Sequence, residues 1–138
     1  DQAAHNGLQP SWISRDPAVV QAYQADPLVH DRITPRLGRW ILAAGETVRA
    51  AAPRWQVPTL LMWAGSDRCV APRGSAAFAA AAPGAVVQSR VFEPLYHEIF
   101  NEPEQAQVIE VLRGWLDRQL ATAEAVPALL TAVPRSAP

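Results

Sequence analysis

Asp67 and His97 are the residues whose types and placement could move a proton between them. Asp67 comes directly after Gly65-Ser66, at the exit of an apolar run of strand length, residues 57–64. His97 lies in a loop after a second apolar run, residues 85–92. Ligands and catalytic groups of open parallel sheets gather at the carboxyl ends of the strands. Two neighbouring parallel strands would therefore set these two loops side by side. An aspartate placed there accepts the Nδ1 proton of the histidine, fixes its tautomer and stabilises the imidazolium formed during proton transfer. The spacing also fits a plainer arrangement, with Asp67 as a turn residue and His97 as a polar loop group. His5 and His30 sit in polar, irregular segments and read as solvated or structurally satisfied.

The elements that must position this pair follow from the pattern on either side. Asp16-Pro17 starts a short helix that Asp26-Pro27 ends, since a residue before proline avoids the helical region. Thr34-Pro35 reads as a cap with proline at the first helical position, opening a helix over about 35–51. Leu37, Ile41, Ala44 and Val48 lie on one face of it. The run 57–64 lacks alternation, as expected of a parallel strand covered on both faces. Pro72 to Ala82 is alanine-rich and helical with Phe78 as its anchor, and residues 85–92 form the second strand. Asn101, Pro103 and Glu104 predict the start of a last helix. Its buried stripe is Val108, Val111, Leu112, Trp115 and Leu116, and it is expected to end near Leu120. Strand, helix and strand in this order make a crossover unit, so the fold class is α/β with a mostly parallel sheet flanked by helices.

Composition removes several other chemistries. The chain has 138 residues, 49% of them hydrophobic and 18% charged, the size and make-up of one globular domain. A net charge of -1 leaves no basic footprint for nucleic acid. A single cysteine, Cys69, excludes an internal disulfide and the Cys-pair zinc motifs. All 12 basic residues are arginine, which excludes lysine Schiff-base, P-loop and Ser-x-x-Lys chemistry within these residues. No stretch approaches the ~18 apolar residues of a membrane helix.

The segment Pro58 to Val70, with Gly65-Ser66-Asp67 at its turn, resembles the strand and acid turn of α/β-hydrolases. Tyr96-His97-Glu98-Ile99-Phe100-Asn101-Glu102-Pro103-Glu104 resembles the histidine loop of bacterial monoacylglycerol lipases. Ser14-Arg15-Asp16-Pro17, Tyr23 and Asp26-Pro27-Leu28-Val29 resemble the exit from that family's cap. The resemblance implies the carboxyl-terminal portion of an α/β-hydrolase fold. Residues 1–34 would end the cap, 35–120 would form the later core, and 121–138 an alanine- and proline-rich disordered tail. It implies a serine esterase acting on monoacylglycerols, lysophospholipids or short esters, without metal or organic cofactor. Asp67 matches the acid and His97 the base. Ile41 and Leu42 fall where the family builds its acyl-chain tunnel, although helix packing also accounts for Ile41. Cys69, Val70 and Glu98 flank the presumed site, with a small packed thiol as the plainer role of Cys69. A cytoplasmic setting with peripheral membrane contact through the cap goes with this reading.

One departure from the family is decisive. The nucleophile elbow Gly-x-Ser-x-Gly is absent, because none of Ser11, Ser14, Ser66, Ser75, Ser89 and Ser136 has glycine two residues away on both sides. Ser75 suits a capping role near a helix start. The upstream oxyanion segment is missing too, so the expected partner is the amino-terminal half of the same enzyme. Alternatives on the same fold are an epoxide hydrolase, a dehalogenase or an acyltransferase; off it, a non-catalytic assembly module. Arg68 beside Asp67 reads as a surface ion pair of little weight, and Glu102 and Glu104 as acids that suit a helix start.

Overall fold

The computed structural model describes the backbone of residues 2–131 and the side chains of residues 2–122. The elements in chain order are β1 (Ala4–His5), α1 (Pro17–Ala25), β2 (Arg32–Ile33), α2 (Pro35–Ala51), β3 (Thr59–Ala64), α3 (Pro72–Ala81), β4 (Val87–Phe92) and α4 (Gln105–Thr131). Short 3-10 turns lie at Pro10–Trp12, Ala52–Arg54 and Ile99–Asn101. The chain divides into two compact units, residues 1–105 and 106–138.

In the first unit the helix starts follow their caps. Asp16 accepts a hydrogen bond from Ala18 N at 2.8 Å and opens α1, and Thr34 Oγ1 accepts from Leu37 N at 3.2 Å and opens α2. Each helix has proline in its first turn, where a missing N–H costs nothing. Ser75 takes no capping role: α3 has Ala71 at its cap position, with no side-chain cap bond. β3 and β4 pair in parallel with Thr59 opposite Val87 and Ala64 opposite Phe92. They are the two neighbours of this sheet among the described residues. Phe78 from α3, Ala52 and Val87 form a buried cluster, with Trp55, Leu61, Ala82 and Val86 packed against it. Trp55 meets Phe78 edge to face, with ring centroids 5.2 Å apart. Burying one such aromatic contributes about 2–3 kcal/mol.

The segments around His5 and His30, expected to be irregular, hold a short strand pair: β1 pairs antiparallel with β2, and Asn6 N donates to Asp31 O at 2.7 Å. A two-residue strand has no periodicity to read, so only the fold reveals it. The apolar face of α2 is present but uncovered, with Leu37, Ile41 and Val48 all close to half exposed.

The loop after β4 is held by a charge cluster. Glu102 is almost completely buried, and its carboxylate accepts from Arg15 N at 2.6 Å, Arg15 Nε at 2.5 Å and Tyr96 N at 3.2 Å. Arg15 also pairs with Glu104. Ser14 Oγ donates to Asn101 O at 2.9 Å, and Glu98 N donates to Ile13 O at 2.8 Å. Residues 13–15 thus clasp both sides of the turn that carries His97. The macrodipole role expected for Glu102 and Glu104 is overturned, because their charges are spent on Arg15. Burial alone would raise the Glu102 pKa, but hydrogen bonds from Arg15, Ser14 and Tyr96 outweigh it and hold the carboxyl below its ordinary value. Asn101 does not cap the last helix either: it lies in the 3-10 turn, its side-chain amide donates to Glu98 at 2.8 Å, and α4 starts at Gln105.

In the second unit, along α4, Val108 is buried and Val111, Leu112 and Trp115 are half-buried, as the stripe predicts, whereas Leu116 is exposed. The helix runs on to Thr131, past the end expected near Leu120, in keeping with the high helix propensity of its alanines. Residues 132–138 of the expected tail lie outside the described residues.

Two tests follow from this packing. A Cβ on Gly65 would sit 2.6 Å from the Glu93 Cα, a backbone atom that cannot swing aside. Gly65→Ala is expected to cost about 1–3 kcal/mol in denaturant unfolding by forcing the two strand exits apart. Glu102→Gln breaks a buried ion pair and should destabilise by about 3–5 kcal/mol. Because the folded pKa of Glu102 is depressed, its charge stabilises the fold fully above the ordinary value of 4.5. The gap between wild type and Glu102→Gln in unfolding free energy should therefore be constant above that pH. It should shrink as pH falls from there through the lower folded value.

Candidate functional site

Equal strand ends put two exit loops together. Ala64 faces Phe92 in the last register position, and Gly65 N donates to Phe92 O at 2.9 Å. The stitching continues with Ser66 N to Leu95 O at 3.1 Å and Ser66 Oγ to Glu93 O at 2.7 Å. Beyond these bonds Asp67 and His97 meet, with Nδ1 and Oδ2 2.9 Å apart. The other carboxylate oxygen of Asp67 accepts from Cys69 N at 2.7 Å and Val70 N at 2.9 Å. Its orientation is therefore set by its own turn before His97 is added. The Asp67 side chain is 10% exposed and that of His97 39%. A shielded acid holds one ring nitrogen, and the ring itself stays open to solvent.

The residues expected around this pair separate into two depressions. Cys69, His97 and Glu98 line a cleft of about 600 Å³ with His5, Tyr23 and Asp31. Ile41, Leu42 and Val70 line an apolar groove of about 580 Å³ with Trp55, Leu61 and Phe78. Val70 also lines a hollow of about 420 Å³ with Asp67, His97 and Phe100, so it borders both the groove and the pair. Ile41 and Leu42 lie with Val70 but not against His97. Trp55, Leu61 and Phe78 were not anticipated as groove residues, because their apolar runs read equally as core.

Arg68 makes no ion pair with Asp67; its guanidinium lies over the Trp12 ring, 5.7 Å from the centroid. His5 pairs with Asp31 at 3.1 Å on the surface, and His30 Nδ1 accepts from Arg32 N at 3.2 Å, so both are structurally satisfied. The Cys69 thiol pKa is pushed up by burial and by the nearby charges of Asp67 and Glu98. A protonated, partly buried thiol is a poor nucleophile. Among the described residues, Asp67, Cys69 and His97 are the set whose side-chain donor atoms gather closely enough to hold a metal ion. The pairing of Arg15 with Glu102 is not legible in the sequence, because an ion pair across 87 residues leaves no local pattern. No helix among the described residues is long and apolar enough to cross a membrane.

Known proteins share this arrangement of strands and loops. A monoacylglycerol lipase from Mycolicibacterium smegmatis is 35% identical over 110 residues, covering 79% of this chain and 39% of that protein. Monoglyceride lipase from Rattus norvegicus is 28% identical over 121 residues, covering 86% of this chain and 40% of that protein. Among solved structures, Paleococcus ferrophilus monoacylglycerol lipase superposes with a TM-score of 0.78 at 34% identity, covering 83% of this chain and 45% of that one. The chain thus spans less than half the length of each of these relatives. The strands, the crossover and the neighbours agree on an α/β-hydrolase fold. The profile of the Hydrolase_4 family, described as serine aminopeptidase S33, matches residues 2–104, and the chain belongs to that family.

Proposed function

We propose that these residues are the acid–base half of a serine ester hydrolase that acts on monoacylglycerols or similar acyl esters. The contact between His97 Nδ1 and Asp67 Oδ2 at 2.9 Å carries this reading. With the proton on Nδ1 donated to Asp67, Nε2 is left as a base. It takes the hydroxyl proton of a serine as that oxygen attacks the ester carbonyl. The imidazolium, balanced by Asp67, then gives the proton to the leaving alcohol, and an acyl-enzyme remains. Water enters, His97 takes its proton, and the acid departs as the serine is reprotonated. Asp67 stays ionised throughout.

No Gly-x-Ser-x-Gly occurs in the sequence, so serine and oxyanion donors come from a polypeptide outside these residues. The amino-terminal half of the enzyme is the partner in this reading, and the edge of β3, unpaired among the described residues, offers it a strand to extend. The groove of Ile41, Leu42 and Val70 suits an acyl chain, being lined almost wholly by apolar groups. Peripheral contact with lipid belongs to the same reading, with Leu28, 87% exposed, as an apolar group open to it. The lone unpaired cysteine fits a cytoplasmic setting.

The test uses the complete protein with a p-nitrophenyl ester and a monoacylglycerol. His97→Ala and Asp67→Asn are each expected to lower kcat on the order of 10⁴-fold. Full activity in His97→Ala overturns the mechanism. The 138 residues alone should hydrolyse neither substrate, and adding the amino-terminal half should restore turnover.

A further inference from the structure

We propose that Asp67, Cys69 and His97 form an inhibitory site for a borderline-soft divalent cation such as Zn²⁺, built into the proton-relay pair itself. One ligand atom from each of the three lies within 4.8 Å of the others. Carboxylate, thiolate and imidazole are the donor types that zinc takes, and three protein ligands with an open fourth position is a common zinc arrangement. Tetrahedral zinc holds its ligand atoms about 3.3–3.8 Å apart, so a modest contraction around the ion closes the site. The His97 side chain, 39% exposed, has room to turn toward it.

Electrostatics favour occupation by a cation. The carboxylates of Asp67 and Glu98 lie around Cys69 and His97. Their negative field attracts a divalent ion, which then displaces the thiol proton to solvent. The neighbouring guanidinium of Arg68 is engaged over Trp12. Access is available because Cys69, His97 and Glu98 line the open cleft.

The hydrogen bond and the metal exclude one another. At 2.9 Å, Nδ1 and Oδ2 are closer than two ligands of one tetrahedral zinc, so the ion enters by opening that pair. With Nδ1 on the metal, the imidazole proton resides on Nε2, and that nitrogen can no longer accept a proton from a nucleophile. Inhibition by the metal rests on the proposed Ser-His-Asp reading; binding of the metal does not.

The experiment titrates the complete, chelator-free protein with Cd²⁺ and Zn²⁺. Cd²⁺ is expected to give a thiolate-to-metal charge-transfer band that is lost in Cys69→Ser and needs about tenfold or more metal in His97→Ala. Zn²⁺ should slow alkylation of Cys69 by iodoacetamide in the wild type but not in His97→Ala, a readout that holds even if Cys69→Ser folds poorly. Micromolar Zn²⁺ should lower ester hydrolysis reversibly with EDTA, while Cys69→Ser keeps its own metal-free rate in the same Zn²⁺. A missing Cys69-dependent band together with unprotected alkylation overturns the site, and so does equal inhibition of wild type and Cys69→Ser. If the band and protection appear in a protein without esterase activity, the metal site stands and the catalytic reading falls.

Discussion

The in-register parallel pairing of β3 and β4 is the constraint on which the rest depends. Because Ala64 faces Phe92, the two strands end at the same height, and their exits share backbone hydrogen bonds. A register shift of one residue would separate Gly65 from Phe92 and turn the shifted strand's side chains to the other face. Asp67 and His97 are close because the chain leaves both strands at one edge. The parallel direction itself requires a crossover, and α3 with the buried Phe78 supplies it.

Around that pairing the site is fixed on the Asp67 side and tethered on the His97 side. Asp67 is fixed by amides of its own turn, which spend one oxygen locally and leave the other for His97. His97 belongs to a longer loop with little apolar anchorage of its own beyond Leu95 and Ile99. The Arg15–Glu102 pair compensates by joining that loop to the segment before α1. A buried ion pair seldom adds much net stability over apolar packing, but it specifies which two segments meet. Here the segments are residues 13–15 and the loop that carries His97.

The apolar surface is distributed in a similarly divided way. α2 presents Ile41, Leu42 and Val48 to a groove rather than to a core, and Val70 connects this groove to the acid turn. An uncovered helical face of this kind reads in sequence as ordinary core, because periodicity reports amphipathicity and not what covers the apolar side. The same limit applies to Glu102. Its position before a helix made dipole compensation a sufficient account, and its burial against Arg15 came from contacts made across the fold.

Local chemistry made much of this protein legible in its sequence. Asp16-Pro17 and Thr34-Pro35 mark helix starts because capping and the fixed proline dihedral act within a few residues. The unalternating run before Gly65 marks a parallel strand because both of its faces favour apolar groups. The meeting of Asp67 and His97 was legible because loops that leave neighbouring parallel strands emerge at the same edge. Tertiary structure alone decided the β1–β2 pairing, the start of α4 at Gln105, the division of Ile41 and Leu42 from Cys69 and Glu98, and the Arg15–Glu102 clasp. The physical reason is common to all four. Each depends on energies between residues distant in the chain, and neither residue type nor spacing records which distant partner will arrive.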